Sequence, residues 1–354
     1  YLHHFLPEQP DVNWDDPGLR EAQLDVLRFW LDRGVDGFRA DAIGLIGQDR
    51  TYPDDPPGTP PDGRGWFHTH PSALAHLGAA RRVLDEHGAV MIGEIFLDDV
   101  EAVLAHVGDH AMHLSFAFQL VLAPWDAAEW SRRIAEVDAA FAARGLWPAW
   151  VLSNHDKPRL ATRVGSRERA RAALCVLLTL RGVPTLYQGD ELALEDADVP
   201  ADRVVDPGGR DGCRAPLPWT TAPGCGWPDP AWLPLPPEAT ALSVAAQEAD
   251  PASALHLTRR LIALRSAHAV LVRGAQRVLA AADGVPDGVL GFERHLDGAR
   301  TVTLLAMADR DAEVPAFADG GWTVRIDSAG AGAREGATFD GTLPADTAVV
   351  LERT

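Results

Sequence analysis

Gly34-Val35-Asp36-Gly37-Phe38-Arg39-Ala40-Asp41-Ala42-Ile43 reads as a short buried strand that ends in a carboxylate. Val35, Phe38 and Ile43 supply its apolar part. Arg39 and Asp41 lie two apart, so strand periodicity sends both side chains to one side. A guanidinium beside an aspartate holds the aspartate ionised and fixes its orientation, as a carboxylate nucleophile requires. The plainer alternative is a structural Arg–Asp pair at a strand end. Two later stretches bear on the choice: Ile92-Gly93-Glu94-Ile95-Phe96 and Leu152-Ser153-Asn154-His155-Asp156.

Working outward, strand and helix patterns alternate five times. Pro17 opens a helix whose apolar face is Leu24, Leu27, Phe29, Trp30 and Leu31, and Gly34 stops it. Helices are predicted over 72–87, 98–106, 127–144 and 167–181, and strands over 89–93, 112–118, 149–152 and 183–187. Connections of this length suit parallel βα units. Residues 47–71, rich in Pro and Gly, read as a long irregular loop over a site. His68 and His70 lie in it, but two histidines without a fixed third partner read as loop residues rather than metal ligands. Residues 192–237 carry little periodicity, and a helix with Leu257, Leu261, Ile262 and Leu264 on its apolar face follows at 252–268. From about residue 270 the pattern switches to period two, as in a small antiparallel β domain.

The chain of 354 residues is long enough for one large domain and a smaller one. The expected division is 1–269 for the barrel-type region and 270–354 for the β domain. A net charge of −19 disfavours nucleic acid and anionic membranes, both of which need a basic face. Lys157 is the single lysine; with abundant Ala, Gly and Pro this resembles a GC-rich bacterial coding sequence. Cys175, Cys213 and Cys225 form no C-x-x-C pair, so neither a disulfide framework nor a zinc site is indicated. No G-x-G-x-x-G or P-loop motif follows a strand, which disfavours a nucleotide-binding protein. The chain begins at Tyr1 rather than Met, so a cytoplasmic address is the expectation with secretion left open.

Asp41, Glu94 and Asp156 each stand at the carboxyl end of a predicted parallel strand, 53 and 62 residues apart. In a β/α barrel those ends open onto one bowl. Converging carboxylates suit glycoside cleavage, one as nucleophile or base and another as acid. Solvated strand-end acids are the alternative.

Gly37-Phe38-Arg39-Ala40-Asp41-Ala42-Ile43, Gly93-Glu94 and Ser153-Asn154-His155-Asp156 resemble three signature segments of glycoside hydrolase family 13, the α-amylase superfamily. Gln9-Pro10-Asp11-Val12-Asn13, Tyr187-Gln188-Gly189-Asp190-Glu191 and Arg210-Asp211-Gly212-Cys213-Arg214-Ala215-Pro216 are similar to segments of its α-glucosidase, oligo-1,6-glucosidase and trehalose synthase branch. The resemblance implies an α/β fold of the (β/α)8 TIM-barrel type, with about strands four to eight in this chain, followed by a C-terminal antiparallel β domain. It implies a retaining exo-acting α-glucosidase that needs no cofactor and takes a small oligosaccharide or glucoside. Asp41 would be the nucleophile, oriented by Arg39, and Glu94 the acid and base. Asp156, with His155, would hold the ring hydroxyls. A retaining pair places its carboxyls roughly 5–5.5 Å apart. Arg159 is similar to an arginine that narrows the pocket, and the small Ala42 after the nucleophile implies α-1,4 over α-1,6 linkages, hence maltose and short malto-oligosaccharides.

One departure stands out. The family's Asp-x-x-x-Asn-His segment has no match in residues 1–354, and neither do the first barrel strands. The chain therefore resembles the C-terminal two-thirds of such an enzyme, in which an open barrel edge is expected to cost stability and activity. Any calcium or magnesium site would belong to the unmatched part. The alternatives are a transglucosylating relative such as a trehalose synthase or sucrose-acting enzyme, and, in another class, an inactive fragment or non-catalytic glycosidase-like protein. The sequence leaves the oligomeric state open.

Overall fold

Asp16 starts the first helix: its carboxylate accepts the Leu19 N–H at 2.8 Å, and Pro17 sits where no amide hydrogen is needed. This computed structural model describes residues 1–52, 54, 70–318 and 321–353. His68 and most of the loop containing it lie outside the described residues. Two compact units emerge: Tyr1–Ala117 with Ala139–Ala149, and Phe118–Asp138 with Trp150–Thr354.

The first unit runs α1 (Pro17–Leu31), β1 (Gly37–Ala40), α2 (Ser72–Glu86), β2 (Val90–Gly93), α3 (Val100–Leu104) and β3 (Leu114–Ala117). The strands are parallel; Gly37 to Ala40 pair in register with Val90 to Gly93, and Ile92 and Gly93 with Leu114 and Ser115. Such βα repeats bury apolar strand ends under helices. Leu31, Leu77, Leu84, Met91, Ile95 and Met112 form the core, with Leu24, Leu27, Phe38 and Ile43 packed on it.

Two expectations are corrected here. Phe29 and Trp30, assigned to the buried face of the first helix, are 46% and 48% exposed. The reason is angular: Leu24, Leu27 and Leu31 already form the 3–4 spaced stripe, and residues 29 and 30 fall outside it. β1 is also only half-buried rather than buried. Among the described residues β2 is its one strand partner.

α4 (Ala127–Ala142) follows, with Trp130, Ile134, Val137 and Phe141 buried at helical spacing, and crosses from the second unit into the first. β4 (Ala149–Val151) lies at the next boundary. The second unit continues with α5 (Leu160–Val164), α6 (Arg167–Thr179) and β5 (Val183–Thr185). Ser166 caps α6 through the Arg169 N–H at 3.1 Å, and the helix is buried from Ala172 through Thr179, Cys175 included. After an irregular stretch come α7 (Val244–Glu248), α8 (Ala254–Ala267) and α9 (Ala269–Arg273). On α8, Leu257 and Leu261 are buried but Ile262 is 44% exposed, another one-residue overreach of the sequence reading.

The period-two segment forms a five-stranded antiparallel sheet in the order β10 (Trp322–Asp327), β12 (Ala348–Arg353), β8 (Ala299–Ala306), β7 (Val289–Leu296) and β6 (Ala275–Val278). A two-stranded ribbon pairs β9 (Ala312–Glu313) with β11 (Thr342–Leu343). Val302, Leu304, Trp322, Val324, Phe339, Val349 and Leu351 build its core. Arg294, on β7, is 1% exposed and donates to the carbonyls of Thr179, Leu271 and Gly274 at 2.7–2.9 Å. Burial pushes its guanidinium down to about 9. This side chain ties the sheet to α6 and α9 within the unit.

Candidate active site

In the first unit, β1 and β2 end side by side, so Asp41 follows one strand and Glu94 the next. The Glu94 N–H donates to the Ala40 carbonyl at 2.9 Å, continuing the parallel ladder into the site. Gly93 has a steric reason to be glycine. A Cβ there would stand 1.7 Å from the Met112 sulfur and 3.0 Å from Ile43 Cγ2.

Arg39 bridges the two carboxylates. One terminal nitrogen donates to Asp41 Oδ1 and the other to Glu94 Oε2, the latter at 2.7 Å. The Ala42 N–H also faces Glu94 Oε2, at 3.3 Å. The environments differ sharply: the Asp41 side chain is 73% exposed and that of Glu94 10%. Each acid is anchored through one oxygen, which leaves Asp41 Oδ2 and Glu94 Oε1 for other partners. Ala42 adopts φ 43°, ψ 34°, a left-handed conformation costly for a residue with a Cβ and more so for a β-branched one. Non-glycine residues held this way concentrate at functional sites.

In the second unit, His155 and Asp156 follow β4, and the Asp156 N–H closes a local turn on Asn154 Oδ1 at 3.1 Å. Asp156 Oδ1 accepts from Arg210 Nη1 at 2.8 Å and Arg214 Nη2 at 2.9 Å, and Oδ2 faces His155 Nε2 at 3.5 Å. Burial pushes the carboxyl upward, but His155 and the hydrogen bonds from Arg210 and Arg214 outweigh it and hold the group below its ordinary value. Behind Asp156, the buried Asp206 accepts from Arg210 Nε at 2.9 Å and Nη2 at 2.6 Å. Hydrogen bonding by Arg210 drives Asp206 far below the usual carboxylate range.

A third carboxylate in this unit behaves differently. Asp190, 3% exposed, accepts both hydroxyl contacts of Ser153, at 2.6 and 2.7 Å, and the Tyr187 N–H at 3.1 Å. Burial pushes it up to about 6. Arg159 is 1% exposed; its Nη1 donates to the Gln188 carbonyl at 2.8 Å and its guanidinium lies 5.1 Å from the Tyr187 ring centroid. Its side chain packs against the 187–189 turn. A Cβ on Gly189, φ +97°, would meet Arg159 Nη1 at 2.4 Å, so the turn and the arginine are built for each other.

The site residues read from sequence therefore fall into two sets: Arg39, Asp41, Ala42 and Glu94 in one unit, and His155, Asp156 and Arg159 in the other. Sequence reading assigned no role to Arg210 and Arg214, although both stood in a stretch similar to family segments. Asp206 carried no signal, lying in a loop without periodicity. Among the described residues no group of three or more His, Cys, Asp or Glu is placed to hold a metal ion, and His70 instead contacts Ser72 Oγ at 2.9 Å. No helix among them is long and apolar enough to cross a membrane.

The family model for the alpha-amylase catalytic domain matches residues 1–274. The chain belongs to the alpha-amylase family. A probable alpha-glucosidase of Rhizobium meliloti (strain 1021) is 34% identical over 350 residues, covering 88% of this chain and 62% of that relative. Maltase A2 of Drosophila melanogaster is 32% identical over 304 residues, covering 77% of this chain and 52% of the maltase. Among solved structures, the alpha-glucosyl transfer enzyme XgtA matches with a TM-score of 0.87 at 32% identity, covering 100% of this chain and 70% of XgtA. The trehalulose synthase MutB of Pseudomonas mesoacidophila MX-45 matches with a TM-score of 0.88 at 25% identity, covering 100% and 72%. The chain spans about 62% of the length of its alpha-glucosidase relative. Catalytic barrel region and antiparallel C-terminal sheet are the architecture of this family, and both are present here.

Proposed function

We propose that the protein is a retaining α-glucosidase that releases single glucose units from the ends of maltose and short malto-oligosaccharides. The observation that carries this reading is the Arg39 bridge. One cation orients an exposed aspartate and a buried glutamate at the ends of neighbouring parallel strands.

In the first step Asp41 Oδ2 attacks the anomeric carbon and the glycosidic C–O bond breaks. Glu94 Oε1 gives its proton to the leaving oxygen, so a glucosyl ester and a free sugar result. In the second, the Glu94 carboxylate takes a proton from water as the water oxygen attacks the same carbon. The ester bond breaks and Asp41 regains its electron pair. Within the second unit, Asp156 Oδ2 and His155 offer polar groups suited to sugar hydroxyls. Ala42 supports the α-1,4 preference twice. It is small, and its left-handed backbone disfavours the β-branched valine that the α-1,6 type is expected to carry there.

A second reading is glucosyl transfer. Its support is the likeness to the alpha-glucosyl transfer enzyme XgtA and to the trehalulose synthase MutB. The same ester would then be opened by a sugar hydroxyl in place of water.

Incubation with maltose, isomaltose and sucrose, scoring glucose against new disaccharides, separates the readings. A slow fluorinated glucosyl donor should add one fluoroglucosyl mass to the peptide containing Asp41. A label on another residue, or kcat/KM higher on isomaltose than on maltose, overturns the mechanism or the linkage preference respectively.

A further inference from the structure

We infer that Asp206 is a positioning residue, whose task is to hold Arg210 and Arg214 on one oxygen of Asp156 and so keep the other oxygen open to substrate. This deepens the glycosidase reading and rests on it where turnover is concerned. The geometry is a closed lattice of four charges. Arg210 spends Nε and Nη2 on Asp206, at 2.9 and 2.6 Å, and only Nη1 on Asp156, at 2.8 Å. The Arg210 amide also donates to Asp206, at 2.9 Å, so the aspartate fixes both backbone and side chain of that arginine. Arg214 donates to the same Asp156 oxygen at 2.9 Å and has Asp206 Oδ1 at 3.8 Å on its far side.

Two guanidinium groups facing a lone carboxylate would naturally take both of its oxygens, because fork-to-fork pairing is the favoured arrangement. Here they share Oδ1. Asp206 is what competes for them. It is itself fixed: its side chain is 9% exposed, and its own N–H and that of Val205 donate to Asp211 Oδ2 at 3.0 and 2.7 Å. Arg214 Nε is further pinned to the His155 carbonyl at 2.8 Å. The outcome is that, among the described residues, Asp156 Oδ2 has only His155 Nε2 beside it, at 3.5 Å. A carboxylate oxygen left open next to an imidazole is what a pair of sugar hydroxyls needs. Asp206 itself contributes no atom to that opening.

The test uses Asp206→Asn, which keeps the shape but loses the charge, and Asp206→Glu, which restores the charge on a longer arm. Thermal unfolding first establishes that both variants fold. The crystal structure of the Asn variant is the readout that needs no turnover: an Arg210 or Arg214 nitrogen within about 3.2 Å of Asp156 Oδ2 is expected. Both guanidiniums still confined to Oδ1 would overturn the inference. Kinetics on p-nitrophenyl α-glucoside provide the second readout. In the Asn variant kcat should fall by about tenfold to 10²-fold, the scale of a misplaced catalytic contact, with KM changed less than about threefold. The Glu variant should recover part of kcat. Unchanged kcat, or loss confined to KM, overturns the positioning role. Absence of turnover in the unsubstituted protein counts against the glycosidase reading alone, because the crystallographic result still decides whether Asp206 aims the arginines.

Discussion

The two carboxylate centres are built around the same device, an arginine that bridges two acids, yet their charge balance differs. In the first unit Arg39 alone serves Asp41 and Glu94, one cation for two acids, which leaves one negative charge in excess whenever both acids are ionised. In the second, Arg210 and Arg214 serve Asp156 and Asp206, and the lattice is neutral. An uncompensated charge is useful where a proton or a developing oxocarbenium has to be accommodated. A neutral lattice suits a carboxylate that must stay ionised and in place. The bridge supplies orientation in both; the count of cations decides what the acid can do.

The largest expected effect breaks the first cluster. Asp41→Asn should lower kcat on every glucoside by about 10⁴-fold or more, as loss of a covalent nucleophile does. Glu94→Gln should cost about 10³-fold on maltose, the range of general-acid catalysis. On an aryl glucoside, whose leaving group needs little proton help, glucosylation should be nearly spared and the glucosyl-enzyme should accumulate. Equal losses for Glu94→Gln on both substrates in presteady-state measurements would remove the acid assignment and with it the functional meaning of the excess charge.

Asp190 sharpens the comparison from inside the second unit, since it is a carboxylate with hydroxyl and amide partners but, among the described residues, no cation hydrogen-bonded to it. Burial pushes it up to about 6, whereas Asp156 is held low against its own burial by His155 and two guanidiniums. For a raised carboxyl the folded state binds the proton more tightly, so its stabilising contribution is present below about pH 4 and lost as pH rises to about 6. From the ordinary value of 3.8 this amounts to roughly 3 kcal/mol. Asp156 has the opposite sign, contributing above its ordinary range and losing that contribution on acidification. Denaturant unfolding between pH 4 and 7 checks the first, since Asp190→Asn should flatten the loss of stability on the way up and Asp156→Asn should leave that slope in place. The Asp156 contribution is read below about pH 4, where Asp156→Asn should flatten the acid loss. An unchanged slope in Asp190→Asn would show that the buried carboxyl titrates normally.

How much of this was legible in the sequence follows from where each residue sits. Asp41 and Glu94 directly follow regular strands and Asp156 stands in the turn after one, and strands announce themselves by apolar runs, so their positions and the Arg39 partnership could be read. Burial could not. The Phe29-Trp30 pair looks like core in one dimension and lies on the outer side of α1 because helix geometry rotates it there. The sequence pattern likewise shows an arginine at 159 without showing that the Gln188 carbonyl claims it. Asp206 was invisible for a deeper reason: its partners are four and eight residues ahead in a loop with no period, and only the folded turn brings Arg210 back onto it.

That contrast between strand-built and loop-built centres predicts different tolerance to the smallest change, a methyl group. Gly93 sits in a strand whose backbone is fixed by partners on both sides, and an added Cβ would overlap the Met112 sulfur at 1.7 Å and its methyl at 2.6 Å. Gly93→Ala should cost about 1–3 kcal/mol in denaturant unfolding, the scale of overpacking, and should displace Glu94 from Arg39. At Gly208 an added Cβ meets the Arg210 Nε and Asp206 Oδ2 at 3.1 Å, a far milder overlap than that at Gly93. Gly208→Ala should stay within about 0.5 kcal/mol. Equal costs would mean that the loop is as rigid as the strands, and then Asp206 would be one of several restraints on the arginines, with its Asn variant expected to show the smaller end of the predicted kinetic loss.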